Sequence, residues 1–434
     1  MRKITRVLAI ALVAIAVAAP VFAQAASEAA APSKASLRFA WWGNDKRHQA
    51  TIAAIDHYME ITPNVEIEAE YRGKSEREKV ATELAGGTVA DIVQLNPPWM
   101  GDFTTSGDFF VDLGQYKSVL DTSGFAQQFM KDYGVYNGKL IALPTGLNAR
   151  TIIINKTLAE KMGLPTDINT KYTWEDLYTF GKEVNKKDSS KYCINADTVD
   201  MTEFVLLPYL VQKTGNQLIK DDYTRGFTPE ELKEALEYIA RLYRDKVVQG
   251  VQEGNVFLHS IWTNPKWING DMVLEFSWTS LYGAVTGENK DEMTVFSLPV
   301  MDGAKNTGLI IVPSQLLAIS NKSENPEAAA KFLNYFFNDL EAGKLLKDVR
   351  SIPPVDKVQK ACQEAGLIDP NIIKATEYAQ ANQGLYRNAL SSNAEIVKIL
   401  NDTIEKVAYD YKAVDSATAE AVKLIDYVLK ELKP

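Results

Sequence analysis

Apolar Val65, Ile67, Ala69 and Tyr71 alternate with Glu66, Glu68 and Glu70, the two-residue period of a strand with one wet face. Leu37–Trp42 reads as a strand before it, and "DIVQL" (91–95) as a strand after it. Between them lie two helical stretches. The first is capped by Asn44 or Asp45 and runs to about Ile61, before Thr62-Pro63. The second has capping-box spacing at Ser75 and Glu78 and stops at Gly86-Gly87. Strand, helix, strand, helix, strand predicts a parallel sheet with helical crossovers. "YNGK" (136–139) predicts a hairpin turn into "LIALP".

A second α/β section follows. "TIIIN" (151–155) reads as a strand, and "KTLAEKM" as a helix closed by Gly163. Thr173 to Asp176 has the spacing of another helix start, and helices follow around 202–213 and 228–247. "MVLEFSW", "TVFSLPV" and "IIVPSQLLAIS" read as strands, and Asn325-Pro326-Glu327 starts a strongly periodic helix. Everything from Val355 onward reads as helix.

The N-terminus departs from these periods. Arg2, Lys3 and Arg6 precede the apolar run Val7–Ala19, which is too short to span a bilayer comfortably, and Val21-Phe22-Ala23 fits a signal-peptidase site. Residues 1–23 are therefore expected to be a cleaved signal peptide and 24–36 a small, polar tether. With no cysteine near the cut, no lipid is expected there. Cleavage removes three basic residues and leaves 44 basic against 56 acidic, taking the formal charge from −9 to −12. That balance disfavours nucleic acid or an anionic membrane as the main partner. Cys193 and Cys362 could form a bridge in an exported protein or remain two buried thiols, and nothing local decides between them.

Six of the seven tryptophans fall in two zones: Trp41, Trp42 and Trp99, then Trp262, Trp267 and Trp278. A pyranose has an apolar C–H face and a hydroxyl rim. A flat aromatic covers the face, while carboxylates, amides and guanidinium groups take the rim. Strand alternation sends Trp41 to the core and leaves Trp42 free at the strand end, with Gly43 making room above it. Asp45 and Arg47 then stand as acceptor and donor. Asn96 and Trp99 end the third strand in the equivalent place, and Asn148 sits where the chain passes to the second section. Trp267 and Trp278 are the matching plates there, with a core role the alternative for each. No dinucleotide fingerprint, P-loop or zinc motif occurs, and the three histidines lack metal spacing. No metal, cofactor or catalytic residue is expected.

These segments, colinear over some 300 residues, resemble the extracellular solute-binding proteins of bacterial sugar ABC importers, the group that includes the maltose-binding type. "WWGNDKRHQAT", "VATELAGGTVADIVQLN", "GKLIALPTGLNARTIIINKTLAEKMGL", "TWEDL", "WINGDMVLEFSW", "LPVMDGA" and "SENPEAAAKFLNYFF" carry the resemblance. It implies two α/β lobes of the type II periplasmic-binding fold joined by a multi-crossing hinge, with ligand between them. Lobe one would be 37–147 and 306–353, and lobe two 148–305 and 354–434. It further implies a monomeric, periplasmic, non-enzymatic carbohydrate binder that delivers a sugar to membrane permease subunits. Starts of this kind also resemble binders of uronate-containing oligosaccharides, for which Lys46, Arg47 and Arg150 could serve carboxylates. A secreted carbohydrate-active enzyme and a chemoreceptor-coupled sensor are the alternative readings. One departure is "RSIPP" (350–354), where the family has Arg-Gly-x-Pro, leaving Ser351 in the place of a glycine.

Overall fold

The computed structural model describes residues 34–73 and 77–433. The signal peptide, most of the tether and Ser75, the expected helix cap, lie outside them. Twelve strands are described: β1 (Ala35–Trp42), β2 (Val65–Arg72), β3 (Ile92–Leu95), β4 (Val135–Tyr136), β5 (Lys139–Leu140), β6 (Leu143–Pro144), β7 (Leu147–Asn155), β8 (Tyr192–Asn195), β9 (Met272–Trp278), β10 (Met293–Phe296), β11 (Ile311–Pro313) and β12 (Leu316–Ile319). Strand β1 takes in Ala35 and Ser36, assigned above to the tether, because Ala35 and Ser36 pair with Val65 and Glu66.

Two main sheets result. The first has the order β2-β1-β3-β12-β6, with β1 parallel to both β2 and β3 and β12 antiparallel to its neighbours. The second has the order β10-β7-β9-β8, with β11 also on β7. Each sheet carries helices. Asp45–Ile61 and Pro326–Asn338 bury Ile55, Tyr58, Phe332 and Phe336 in the core around β1. Trp174–Lys187, Pro229–Arg244 and Ala394–Tyr409 enclose the core on one face of β9. Helix starts follow the sequence closely: Asn44 accepts from the Arg47 N–H, and Thr173 with Asp176 forms a complete capping box. The 136–139 turn puts Asn137 and Gly138 at φ 50° and 75°, as a tight hairpin of primed type requires.

Two expectations need correction. The apolar run 310–320 is not one strand. Ile311–Pro313 pairs with β7 in the second sheet, and Leu316–Ile319 pairs with β3 in the first. Ser314-Gln315 is thus a crossing between lobes, and Pro313-Ser314-Gln315 is the break in the apolar pattern that marks it. The C-terminal part is not continuously helical either. Asp356–Glu364 packs against the first-lobe helix Leu340–Leu346, Pro370–Ala381 packs on β7, and 382–393 is mostly irregular. Cys193 and Cys362 are free, buried thiols in different cores.

The first two crossings, at Thr145-Gly146 and Ser314-Gln315, meet segment 349–352 in one polar node, while the third passes between Glu364 and Pro370. The Ser314 hydroxyl donates to the Arg350 carbonyl, the Leu147 N–H to the Ile352 carbonyl at 2.9 Å, and the Ala149 N–H to Thr279 Oγ1 at 2.9 Å. Ser351 adopts φ 66°, the left-handed region that a glycine takes without strain, so the family position is conformationally a glycine site. Its hydroxyl lies 2.8 Å from Thr279 Oγ1, an interlobe hydrogen bond that a glycine could not make.

Central strand β9 buries Glu275, 1% exposed, with Asn195 Nδ2 2.7 Å from its Oε2. Burial, then the nearby Asp197, raises its carboxyl well above the ordinary 4.5. A raised folded-state pKa gives stability that is complete below the unfolded value and lost as pH rises toward the folded one. Glu275→Gln is therefore expected to stabilise the protein increasingly between pH 5 and 8, by up to about 1.4 kcal/mol per pH unit. Urea melts of both proteins at the two pH values check this. An advantage that does not grow with pH contradicts it.

Candidate functional site

The two neighbouring tryptophans at the end of β1 divide as strand alternation predicts. Trp41 is fully buried, 5.0 Å between ring centroids from Phe39. Trp42 is half-buried and lies 5.0 Å from Trp99 at 32°, forming a tilted aromatic pair. Trp99 is itself buried, 7% exposed, and braced edge-on by Phe103, so it backs the Trp42 ring and leaves Trp42 as the accessible face of the pair. Pro97 and Pro98 begin the short turn that carries Trp99, so β3 ends where the aromatic surface starts. The strand end is held rigidly: the Trp42 carbonyl accepts from Gln94 Nε2 at 3.1 Å and from Arg47 Nη1 at 3.4 Å. Beside the pair, Asp45 is exposed in the first turn of its helix, and half-exposed Asn96 makes no capping bond with its side chain. Among the described residues neither side chain has a protein hydrogen-bond partner, so both remain available to a polar ligand.

Across the interlobe boundary, Trp278 ends β9 opposite Arg150 of β7. It packs on Phe204, and the Arg150 guanidinium lies 5.6 Å from its ring centroid. Arg150 Nη1 donates to the Gly308 carbonyl at 2.8 Å and Nη2 to Glu203 at 2.6 Å. Arg387 Nη1 reaches the other Glu203 oxygen at 2.7 Å. Burial works to raise the Glu203 carboxyl, but Arg387 and Arg150 together hold it below its ordinary range. Two permanent cations against one carboxylate leave this corner net positive.

Segment 382–391 joins the two sides. Its roots are in lobe two, through Arg387 and through Asn388 Nδ2, 2.9 Å from the Ile219 carbonyl. Its tip reaches lobe one, where the Tyr386 hydroxyl donates to the Asp132 carbonyl at 3.1 Å and its ring meets Tyr133 at 5.2 Å. Ala389 lies against Gly101, two residues after Trp99. Sequence reasoning missed Glu203, Tyr386 and Arg387. The available signal was Gly384 and the loss of apolar period between two helices.

Three expected site residues serve the fold instead. Trp267 is fully buried and its indole N–H donates to the Val285 carbonyl at 2.8 Å, so no face is open to a ligand. Arg47 is buried, and its Nε donates to the Val349 carbonyl at 3.0 Å, tying the end of β1 to segment 349–352. Burial pushes its guanidinium down to about 10. Gly43 makes room for that arginine rather than for a ligand, since a Cβ there would sit 2.6 Å from Arg47 Cδ. Asn148 is at the crossing as expected, but it is buried, with its Oδ1 accepting from the Ser280 N–H at 2.9 Å. Trp42, Asp45, Asn96 and the buried Trp99 stand at the ends of β1 and β3 on lobe one, and Trp278 is half-buried at the end of β9 on lobe two. Among the described residues, no group of three His, Cys, Asp or Glu side chains is arranged to hold a metal, and no helix is long and apolar enough to cross a membrane.

Comparison with known proteins gives a consistent picture. The family model described as bacterial extracellular solute-binding protein matches residues 44–340. A Brucella abortus relative, named only as a candidate binding protein, is 25% identical over 179 residues, and the match spans 41% of this chain and 41% of that relative's length. A periplasmic solute binding protein from Pectobacterium atrosepticum is 25% identical and superimposes with a TM-score of 0.85, covering 92% of this chain and 100% of that one. A periplasmic oligogalacturonide binding protein from Yersinia enterocolitica, in complex with saturated digalacturonic acid, is 24% identical with a TM-score of 0.82 over 92% and 100%.

Proposed function

Because the chain belongs to the bacterial extracellular solute-binding protein family, we propose that it is the periplasmic carbohydrate-binding subunit of an ABC importer, taking an oligosaccharide with uronate units between its lobes. Trp42, backed by the buried Trp99, covers the apolar face of one pyranose, and Asp45 and Asn96 accept from and donate to its hydroxyls. Trp278 offers a second plate from the opposite lobe. A ligand touching both lobes stabilises the closed arrangement, a population shift that requires no bond to be broken. The closed form then docks on the permease, and ATP is used by other chains.

The observation that carries the carboxylate preference is the Arg150–Glu203–Arg387 cluster, net positive in a chain that is acidic overall. The digalacturonic acid held by the Yersinia protein has the matching charge. A thermal-shift screen of the mature protein against neutral mono- and oligosaccharides and against galacturonides tests both levels of the proposal. Galacturonides are expected to raise the melting midpoint more than neutral sugars of equal length. Arg387→Ala should lose affinity for galacturonides by roughly ten- to a hundredfold, the scale of one charge-assisted hydrogen bond. A neutral sugar preferred by both proteins would remove the uronate assignment and keep the carbohydrate one. No shift with any sugar would remove both.

A further inference from the structure

Arg350 lies in segment 349–352, beside the first two crossings, and is only 4% exposed. Its Nη2 has one good partner, Thr51 Oγ1 at 3.0 Å, and a distant one, Gln94 Oε1 at 3.5 Å. Its Nε and Nη1 are enclosed and have no hydrogen-bond partner among the described residues. The guanidinium lies 5.4 Å from the centroid of the Phe336 ring, a contact that offsets only part of the cost of burying a cation. No carboxylate in the described residues pairs with it. Arg47, also buried and also bonded only to carbonyls, is close enough to disfavour its charge further. A buried guanidinium with no acid beside it is an arrangement that proteins avoid, because an uncompensated buried charge costs several kcal/mol. An arginine does not escape by losing its proton at neutral pH.

Arg350 also borders a cavity of about 30 Å³, shared with Thr145, Phe336, Lys347, Ser351 and Pro353. That is room for one water-sized species. The wall holds two cations and two hydroxyls and no acid. A neutral water there would leave the Arg350 charge unbalanced. We propose that the cavity beside Arg350 is a binding site for a single chloride-sized inorganic anion, which supplies the counter-charge for the buried Arg350 guanidinium and fastens segment 349–352. The site lies behind the hinge and is separate from the sugar-binding surface. It involves neither Trp42, Trp99 nor Trp278, so the proposal does not depend on the identity of the transported ligand.

The test uses the mature protein without sugar. Its melting midpoint is measured while sodium chloride replaces sodium gluconate at constant ionic strength, so that general screening is unchanged. A saturable rise of a few degrees is expected, and bromide should reproduce it. Arg350→Met, which removes the charge and keeps much of the bulk, should lose the chloride dependence. Crystals grown in bromide should show an anomalous peak beside the Arg350 guanidinium. A midpoint equal in chloride and gluconate, with no anomalous peak at Arg350, overturns the proposal. So does a chloride effect that survives intact in Arg350→Met. If that variant does not fold, the wild-type titration and the bromide map still decide.

Discussion

Trp42→Ala is expected to weaken sugar binding by about thirtyfold while changing the urea midpoint little. Truncating a stacking aromatic that a ligand desolvates costs about 2 kcal/mol or more of binding. In the free protein Trp42 is half-buried and its ring rests mainly on Trp99, so its loss removes part of a surface rather than the centre of a core. Trp41→Ala should behave in the opposite way. That indole is fully enclosed against Phe39, and its removal should cost about 3–5 kcal/mol of stability, with the surviving folded protein still binding sugar. Trp41→Phe should be milder, because the Trp41 indole N–H has no partner to lose. Titration calorimetry and urea melts on the same preparations separate the two effects. Wild-type affinity in Trp42→Ala would move the binding surface away from the end of β1.

Gly146→Ala is the second change with a large expected effect. A Cβ at this position would lie 1.9 Å from the carbonyl oxygen of Arg350, where the first crossing passes segment 349–352. The obstructing atom is backbone, itself held by the Ser314 hydroxyl, so it cannot swing aside as a side-chain tip would. The cost should fall at or above the upper end of the roughly 1–3 kcal/mol usual for overpacking. Relief requires the first crossing and segment 349–352 to separate, and that changes the hinge of the proposed lobe closure. The variant should therefore show a lower urea midpoint and a smaller ligand-induced decrease in radius of gyration by small-angle scattering. Unchanged values for both would mean that the first crossing and segment 349–352 are not packed as described.

Most of the fold was legible because its periods are local. Alternation in Val65–Tyr71 and the caps at Asn44 and Thr173 are properties of a few adjacent residues, and so is the division between Trp41 and Trp42. The candidate site was legible only where it sits on such elements. Trp267 is on a four-residue helix, Pro265–Ile268, too short to show which face is buried. Arg47 occupies the first turn of a long helix, but its partner Val349 is 302 residues away, beyond any local pattern. Arg387 lies in an irregular segment, and it matters through Glu203 and Arg150, each on a different element. The crossing at Ser314-Gln315 was concealed for a different reason. The strands flanking it are short and apolar, and the break at Pro313-Ser314-Gln315 does not say that the chain changes sheets there.

The crystal structure of the mature protein with the sugar that gives the largest thermal shift tests the account most directly. The account predicts density for a pyranose lying face-on to Trp42, its hydroxyls within hydrogen-bond distance of Asp45 and Asn96, and Trp278 contacting the same ligand from the other lobe. Sugar bound outside the interlobe boundary, with the indole of Trp42 untouched, would contradict it.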